Sequence, residues 1–295
     1  MIESYLKKCR IRNLSQGTID NYRLSLSTFR QFYPGEWDEL TQDDIDDYIL
    51  YLRDDPNKNL TTVNNRLRDL RSFLNWLHKE GKVEKLEIKL IRQDEPVIQA
   101  FTKQHLKDLY EACDLAPITF SKKRDKVLMR MLELTGCRVS EALNINTKVV
   151  DLKNLVIPLG RTKNKRTRVI YLTPALAKEV NNYLNLRQQV LYDNNLTATK
   201  LFITRKGTPL CKRTIQERIQ RYGELAGITD VRVSPHTFRH TFAKNYLIYG
   251  GDIFTLKDLL GHSSLEMVYR YARLFDTQRQ NQYQEVMKRY SRHQK

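Results

Sequence analysis

Apolar side chains recur every three or four residues through roughly the first eighty positions, and this spacing constrains the fold more than any other feature. The pattern runs from Ile19 to Phe29, from Ile45 to Leu52, and from Val63 to Leu77. Pro34-Gly35 and Asp54–Pro56 separate the three runs. Each helix needs a partner that covers its apolar face, so this part of the chain predicts a small all-α bundle.

Local signals indicate where these helices begin and end. Thr41 followed by Asp44 predicts an N-terminal capping box with Asp in place of the usual Glu. Gly81 predicts the C-terminal end of the third helix. A further helix is expected over Ile2 to Leu6.

The chain after residue 100 mixes helical and strand patterns. Thr102 and Thr173 are expected at helix N-termini. β-branched residues are frequent at 149–157 and 168–172, and a polar basic turn lies between them. This arrangement predicts a hairpin with a basic tip, within a fold that is mainly α with a small β-sheet.

A charge-rich stretch over residues 82–100, with Pro96 near its end, is expected to contain a domain linker. We predict a helical N-terminal domain at residues 1–90 and a linker at 91–100. The second domain is predicted at 101–295, and it includes a polar C-terminal tail that is expected to be helical around residues 275–290.

Charge is distributed very unevenly along the chain. The net charge is +17, from 51 Lys and Arg against 34 Asp and Glu. Residues 1–97 hold 16 basic and 17 acidic side chains, which leaves 35 and 17, a charge of +18, for the remainder. A strong cationic field favours a polyanion partner and salt-dependent binding, and a merely soluble basic surface is the alternative.

Other features argue against several classes of protein. No apolar run approaches the roughly 18–20 residues of a membrane span, and the N-terminus lacks the apolar core of a signal peptide, so a cytoplasmic protein is expected. We expect no metal and no cofactor, because the cysteines form no C-x-x-C pair and no nucleotide-binding Gly-rich loop occurs. Four cysteines are expected as reduced thiols: Cys9, Cys113, Cys137 and Cys211.

The most informative stretch runs from Ser234 to Tyr271. It contains His236 and Arg239, which share a helix face because they are three residues apart, and then His262. Any one of these residues is an ordinary polar side chain on an amphipathic helix. Together they predict a site that holds a phosphodiester and attacks it with a tyrosine.

Several motifs resemble those of the tyrosine recombinases, also called phage integrases. They are T-G-C-R-V-S-E-A-L, H-T-F-R-H and L-L-G-H-S-S, with a Tyr nine residues after the last His. The chain is most similar to compact Xer-type members and simple phage or transposon integrases. The resemblance implies a SAM-like core-binding domain and a mixed α/β catalytic domain. It also implies six catalytic positions: Arg138, Lys163, His236, Arg239, His262 and Tyr271.

The chemistry of cleaving a phosphodiester without a metal calls for these residue types. Two arginines neutralise the charge on the pentacoordinate phosphate and stay protonated at any relevant pH. A tyrosine hydroxyl must lose its proton as it attacks, and His236 is the candidate base. Lys163 would protonate the leaving 5′-oxygen, and His262 would hydrogen-bond the phosphate or the tyrosine side of it. The covalent bond to Tyr271 conserves energy, so rejoining needs no ATP.

Some assignments have close competitors. Lys165 and Arg166 lie beside Lys163 on the same expected hairpin tip, where they are also candidate DNA-binding residues. His240 competes with His236, but we interpret it as a structural neighbour.

Two tyrosines compete for the nucleophilic role. Tyr269 would point about 200° away from Tyr271 on a helix, and we expect Tyr269 to pack. Glu141 is expected to orient side chains. Cys137 replaces the aliphatic residue usual beside the first arginine.

In the N-terminal part, basic residues cluster on the third helix, where DNA binding and a solvated basic face are equally good interpretations. These residues are Arg66, Arg68 and Arg71.

The predicted function is therefore site-specific recombination of double-stranded DNA by a homo-tetramer, through a 3′-phosphotyrosyl intermediate and a Holliday junction. A related recombinase or an accessory DNA-bending protein could assist. Two alternatives stay open: a type IB topoisomerase-like enzyme that relaxes DNA, and a protein that only binds DNA. The target sequence and the biological role stay open as well.

Overall fold

The chain divides into two compact units, Met1–Pro96 and Val97–Lys295. The division falls within the predicted linker at 91–100, and the predicted domain limits stay a prediction. In the computed structural model, the residues described are 1–93, 98–115, 117, 119–160, 168–261, 264–273, 283–284, 287 and 291.

The first unit is a helical bundle. Its helices are α1 (Ile2–Ile11), α2 (Gln16–Phe32), α3 (Gln42–Arg53) and α4 (Leu60–Lys79). The capping box of α3 is present, because the Thr41 main-chain N–H donates to Asp44 at 2.9 Å. α1 continues beyond Leu6, the end expected from the sequence.

Aromatic packing fills the core of this bundle. Phe29, Tyr48 and Phe73 are fully buried, and the Phe29 and Tyr48 rings meet edge to face at 4.8 Å. The chain then turns at Gly81, where φ is +67°. Asn64 on α4 donates to and accepts from the main chain of Ile91, so the charge-rich stretch packs against the bundle at least to that point.

The second unit holds the remaining helices and the sheet. In the described residues the helices are α5 (Lys103–Asp114), α6 (Thr119–Thr135), α7 (Val139–Asn144), α8 (Pro174–Asp193), α9 (Lys212–Leu225), α10 (Pro235–Ile248), α11 (Ile253–Leu260) and α12 (Glu266–Arg273). The fold class predicted from the sequence, mainly α with a small sheet, is confirmed.

The sheet is one antiparallel hairpin of β1 (Val156–Leu159) and β2 (Arg168–Tyr171). The strand predicted at 149–157 is wrong in its limits. Asp151 and Val156 exchange main-chain hydrogen bonds across a tight turn, in which Leu155 adopts φ +58°. The β-branched residues at the start of that run therefore precede the strand. The basic tip at 161–167 lies outside the described residues.

Helix α6 lies at the centre of the second unit and packs against α8 and α10. It ends at Gly136, where φ is +60°. A Cβ there would lie 2.3 Å from the Phe242 ring on α10. This close approach requires glycine, and it brings the start of α7 next to α10 and α11.

Helices α10, α11 and α12 share a separate apolar cluster that includes Leu256, Leu260, Val268 and Tyr271. α11 ends at Gly261 in a left-handed conformation, φ +63° and ψ +46°. The predicted tail helix at 275–290 lies outside the described residues, except for helical positions 283, 284 and 287. None of the described helices combines the length and the apolar character of a membrane span.

Candidate active site

Three consecutive main-chain carbonyls at the end of α11 accept hydrogen bonds from three arginines. The last carbonyls of a helix have no intrahelical partner and carry the negative end of its dipole, so cations bind there. The pairs are Leu259 with Arg168, Leu260 with Arg239 at 2.6 Å, and Gly261 with Arg138 at 3.1 Å.

Arg138 is the N-cap residue of α7 and is fixed by Glu141 on the first turn of that helix. The Arg138 main-chain N–H donates to Glu141 Oε2 at 2.7 Å, and Arg138 Nη1 donates to Oε1 at 2.9 Å. Burial would raise the pKa of Glu141, but Arg168 and Arg138 lower it overall. The Arg138 side chain is 41% exposed, so a phosphate in solvent can reach it.

Arg239 lies deeper, on the first half of α10, and only 5% of it is exposed. Its Nη1 donates to Gly136 O at 2.7 Å. Burial and the charges of Arg138 and Arg168 lower its pKa to about 10. The guanidinium therefore stays protonated at neutral pH, and carbonyls hold it without cancelling its charge.

Tyr271 lies on α12 with 4% of its surface exposed. Its hydroxyl is 2.7 Å from Nδ1 of His240. Burial raises the pKa of Tyr271, and the charge of Arg239 opposes that rise. Tyr269 is 49% exposed, so the expectation that it packs is wrong, although the two tyrosines do face different environments.

His240 is a site residue whose contact with the tyrosine sequence reasoning missed. Burial, His236 and Arg239 lower its pKa to about 4, so its ring is neutral at physiological pH. It is 31 residues from Tyr271, and no helical or strand period links positions so far apart. Only its place beside Arg239 could have drawn attention to it.

His236 lies in the first turn of α10, after the Ser234 cap and one turn before His240. Its side chain is exposed. Partial desolvation and the cations Lys212 and Arg239 lower its pKa. Three arginines, Arg138, Arg168 and Arg239, against the single carboxylate of Glu141 make the cluster cationic, which suits a phosphodiester.

Comparison with known proteins identifies the family. Residues 99–278 match the phage integrase family, and residues 1–84 match its N-terminal SAM-like domain. The chain belongs to the phage integrase family. Tyrosine recombinase XerC of Roseiflexus castenholzii is 31% identical over 272 residues, which cover 89% of this chain and 85% of that protein. XerC of Bacillus subtilis is 29% identical over 280 residues, which cover 92% and 90%.

Solved structures share the fold. The XerH recombinase bound to its palindromic difH substrate aligns with a TM-score of 0.76 and 21% identity, over 97% of this chain and 84% of that chain. A lambda integrase dimer bound to a core site aligns with a TM-score of 0.73 and 17% identity, over 91% and 93%. The predicted reaction is confirmed: the protein is a site-specific tyrosine recombinase, which cleaves and rejoins DNA.

Four predicted site residues of the recombinase lie outside the described part of the chain: Lys163, Lys165, Arg166 and His262. Their assignments stay predictions. The described residues bring Arg138 and Arg239 together at one helix end, place His236 one turn before His240, and place Tyr271 against His240.

The candidate DNA-binding arginines of the first unit lie along α4. Arg68 and Arg71 are exposed, whereas Arg66 is partly buried near Tyr48. Arg68 donates to Asn65 on the same helix at 2.8 Å. Exposed basic residues at this spacing share one face of α4, and their contact with DNA stays a prediction.

Cysteines are not part of the recombinase site. Cys9, Cys113 and Cys137 are buried free thiols and Cys211 is an exposed one. Burial raises the pKa of Cys137, which lies next to Arg138, to about 11. Within the described ranges, no three His, Cys, Asp or Glu side chains gather as metal ligands would.

Proposed function

We propose that this recombinase cleaves DNA by attack of Tyr271 on a phosphodiester held by Arg138 and Arg239. One observation carries the proposal. Segments far apart in the sequence, up to the 123 residues between Arg138 and Gly261, bring two guanidinium groups to one helix end. A buried tyrosine hydroxyl lies close enough for the Arg239 charge to influence its pKa.

The two arginines would stabilise the charge that develops on the phosphate. A pentacoordinate phosphorane carries more negative charge on its oxygens than the diester does, and preorganised cations bind it more strongly. Main-chain carbonyls hold Arg138 and Arg239 in place before DNA arrives. Little reorganisation is then needed at the moment of reaction.

In the proposed cleavage step, the Tyr271 oxygen forms a bond to phosphorus, and the bond from phosphorus to the 5′-oxygen breaks. Neutral His240 holds the hydroxyl before attack, and His236 is the predicted acceptor of its proton. Lys163 gives a proton to the leaving 5′-oxygen. The product is a 3′-phosphotyrosyl link, and the reverse step rejoins the strand without an external energy source.

The nucleophile can be tested by mapping covalent adducts. Denatured protein recovered from genomic DNA would carry a short DNA end that reveals the cleavage site, and a duplex nicked next to that site would then trap the adduct. Wild-type protein and Tyr269→Phe should form it, whereas Tyr271→Phe should not. An adduct with Tyr271→Phe would refute the assignment.

The leaving-group role of Lys163 can be tested with a sulfur atom in place of the bridging 5′-oxygen. A thiolate leaves without needing a proton, because a thiol is far more acidic than an alcohol. Lys163→Ala should be slow on normal DNA and close to wild type on the sulfur substrate. Lys165→Ala, the matched control, should cleave both substrates as the wild type does. Equal defects of Lys163→Ala on both substrates would contradict the role.

The roles of His240 and His236 can be distinguished by isosteric substitutions. Asn places an acceptor near the position of histidine Nδ1, and Gln places one near Nε2. His240→Asn should therefore retain most cleavage, while His240→Leu should lose it. A His236→Asn protein that cleaves at the wild-type rate would remove His236 as the base.

We also propose that four copies of the chain assemble on two double-stranded DNA sites in the cytoplasm and exchange strands through a Holliday junction. A related recombinase or a DNA-bending protein could join this complex. The cationic second unit and the exposed arginines of α4 support DNA as the partner. Sedimentation with site DNA should give a four-protein complex. Relaxation of any supercoiled plasmid by monomers would instead favour a topoisomerase.

A further inference from the structure

We infer that Arg168 is a positioning residue for DNA cleavage, and that it acts on Arg138 through Glu141 and through the end of α11. The inference rests on the proposed phosphate-binding role of Arg138. Arg168 is the first residue of β2, directly after the hairpin tip, and it lies outside the six proposed catalytic positions.

One buried guanidinium connects three elements of the site. The Arg168 side chain is 7% exposed. Its Nη1 is 2.6 Å from both carboxylate oxygens of Glu141 on α7. Its Nη2 donates to Leu259 O at the end of α11. The start of β2 is thereby tied to both helices that support the catalytic arginines.

The contacts of Arg168 with Glu141 and with Leu259 both support Arg138. The Glu141 carboxylate that Arg168 holds also accepts from the Arg138 main chain and from Arg138 Nη1. The carbonyl that Arg168 holds is followed in sequence by the two that accept from Arg239 and Arg138. Loss of Arg168 would therefore release two supports of the same guanidinium.

Arg168 packs closely against the residue that follows α11. Gly261 has φ +63°, and a Cβ on it would lie 3.1 Å from Cδ of Arg168. Arg168 Nε is buried, and the described residues offer it no hydrogen-bond partner. An unsatisfied buried donor is unfavourable. Its presence is explained if both Nη groups are needed for the bridge between Glu141 and Leu259.

A purely structural role is the competing interpretation, and the same unit offers a matched control. Arg187 is also buried, with 6% exposed. It donates to the carbonyls of Ala198 and Lys200 at 2.8 Å, and none of these residues belongs to the proposed site. Replacement of either arginine by lysine removes the same fork from a similarly buried position.

The test compares two DNA substrates in single-turnover adduct formation. One has a normal phosphodiester at the cleavage site, and the other has a methylphosphonate, which is neutral and needs less cationic stabilisation. Arg138→Ala calibrates the assay. It should be about 10²-fold slower on normal DNA and much closer to wild type on the neutral substrate.

Arg168→Lys should share this signature, with a slowing of about 10²-fold on normal DNA and at most about tenfold on the methylphosphonate. Its Kd for DNA should be unchanged. Arg187→Lys should match the wild type on both substrates per folded molecule. Equal slowing of Arg168→Lys on the two substrates, or behaviour like that of Arg187→Lys, would overturn the inference.

Two further results keep the inference separate from stability and from the proposed function. If Arg168→Lys does not fold, Glu141→Gln should still show the substrate-dependent defect, and its absence there would overturn the inference. If both variants fold, the double variant should be no slower than the slower single one, because coupled residues are not additive. Failure of the wild type to form an adduct, or a substrate-independent defect of Arg138→Ala, would instead contradict the proposed function.

Discussion

Two carboxylates of the second unit, Asp125 and Glu141, are each hydrogen-bonded to a pair of arginines. The two clusters differ in their exposure to solvent and in their balance of charge. Asp125 is fully buried. Arg124 donates to one of its oxygens at 2.8 Å, and Arg218 and the Tyr222 hydroxyl donate to the other. Arg124 and Asp125 are buried and Arg218 is 33% exposed, and each of these charged groups has a partner in the cluster, so we interpret it as structural.

The Glu141 cluster has a different balance of positive and negative charge. Arg138 and Arg168 contact the Glu141 carboxylate, and the nearby Arg239 is held by main-chain carbonyls alone. Carbonyls at the end of α11 also hold Arg138 and Arg168. A carbonyl fixes the orientation of an arginine without neutralising it. The Asp125 cluster therefore has two arginines for one carboxylate and the Glu141 cluster has three, and the larger excess of positive charge at Glu141 favours an anion site there.

The largest expected effect concerns the Glu141 cluster. We call it the open cluster because Arg138 is 41% exposed, and we call the Asp125 cluster the closed one. Arg239→Lys retains the charge but loses the fork, and we expect adduct formation to fall about 10²–10³-fold. Arg218→Lys makes the same change in the closed cluster and should leave the rate per folded molecule unchanged. Quench experiments under single-turnover conditions measure both. Equal rates for the two variants would remove the distinction between the clusters.

For stability, the Asp125 cluster should matter more than the Glu141 cluster. Asp125→Asn leaves the buried Arg124 and the partly exposed Arg218 without their anion, and it should lower the free energy of unfolding by about 3–5 kcal/mol. Urea denaturation measures this loss. Glu141→Gln should cost less: Arg168 stays buried, but Arg138 is 41% exposed and Glu141 itself is 18% exposed, so water screens part of this cluster. A larger loss for Glu141→Gln would show that the open cluster is the main structural one.

A smaller effect follows from His240, which touches the nucleophile of the open cluster. Its pKa is lowered to about 4 in the folded protein, and an unfolded histidine titrates near pH 6.5. Between these values the unfolded state binds the extra proton. His240 therefore stabilises the fold above about pH 6.5, and this contribution falls by up to about 1.4 kcal/mol per unit as pH drops.

Urea titrations at pH 7.0, 5.5 and 4.5 would measure this dependence. His240→Asn should flatten it, whereas Asp125→Asn should preserve it. A wild-type stability that does not change over this range would contradict the burial of a neutral His240.

The smallest expected effect concerns DNA binding by the first unit. If Arg71 on α4 contacts a phosphate, Arg71→Gln should reduce the slope of log Kd against log salt by about 0.9. Arg218→Gln removes a cation that is already paired and should leave the slope unchanged. Fluorescence anisotropy at several salt concentrations measures both. An unchanged slope for Arg71→Gln would favour a solvated basic face.

Local features of the fold were predictable from the sequence. The apolar stripe of α2 and the capping box at Thr41 depend on residues three or four apart, and both are present. The first strand was misplaced because a left-handed Leu155 and a tight turn precede it. That conformation has no compositional signal, since leucine rarely adopts positive φ.

The candidate site was only partly predictable. Arg138, Arg239 and Tyr271 were identified by motifs. The contact between His240 and Tyr271 was missed, and so was the bridge from Arg168 to Glu141, which are 27 residues apart. Main-chain carbonyls hold the arginines, and the identity of a residue does not reveal what its carbonyl binds. Sequence patterns therefore identify the reacting groups better than their supports.

The carbonyls at the end of α11 also affect the order in which parts of the protein fold during synthesis. Arg138 and its partner Gly261 are 123 residues apart, and Arg239 and Gly136 are 103 apart. Contacts between such distant positions form late, whereas the first unit is complete by Pro96 and can fold as soon as it emerges. A nascent chain would therefore complete its first unit before it could bring together the two arginines of the proposed site, so an unfinished recombinase would lack that site.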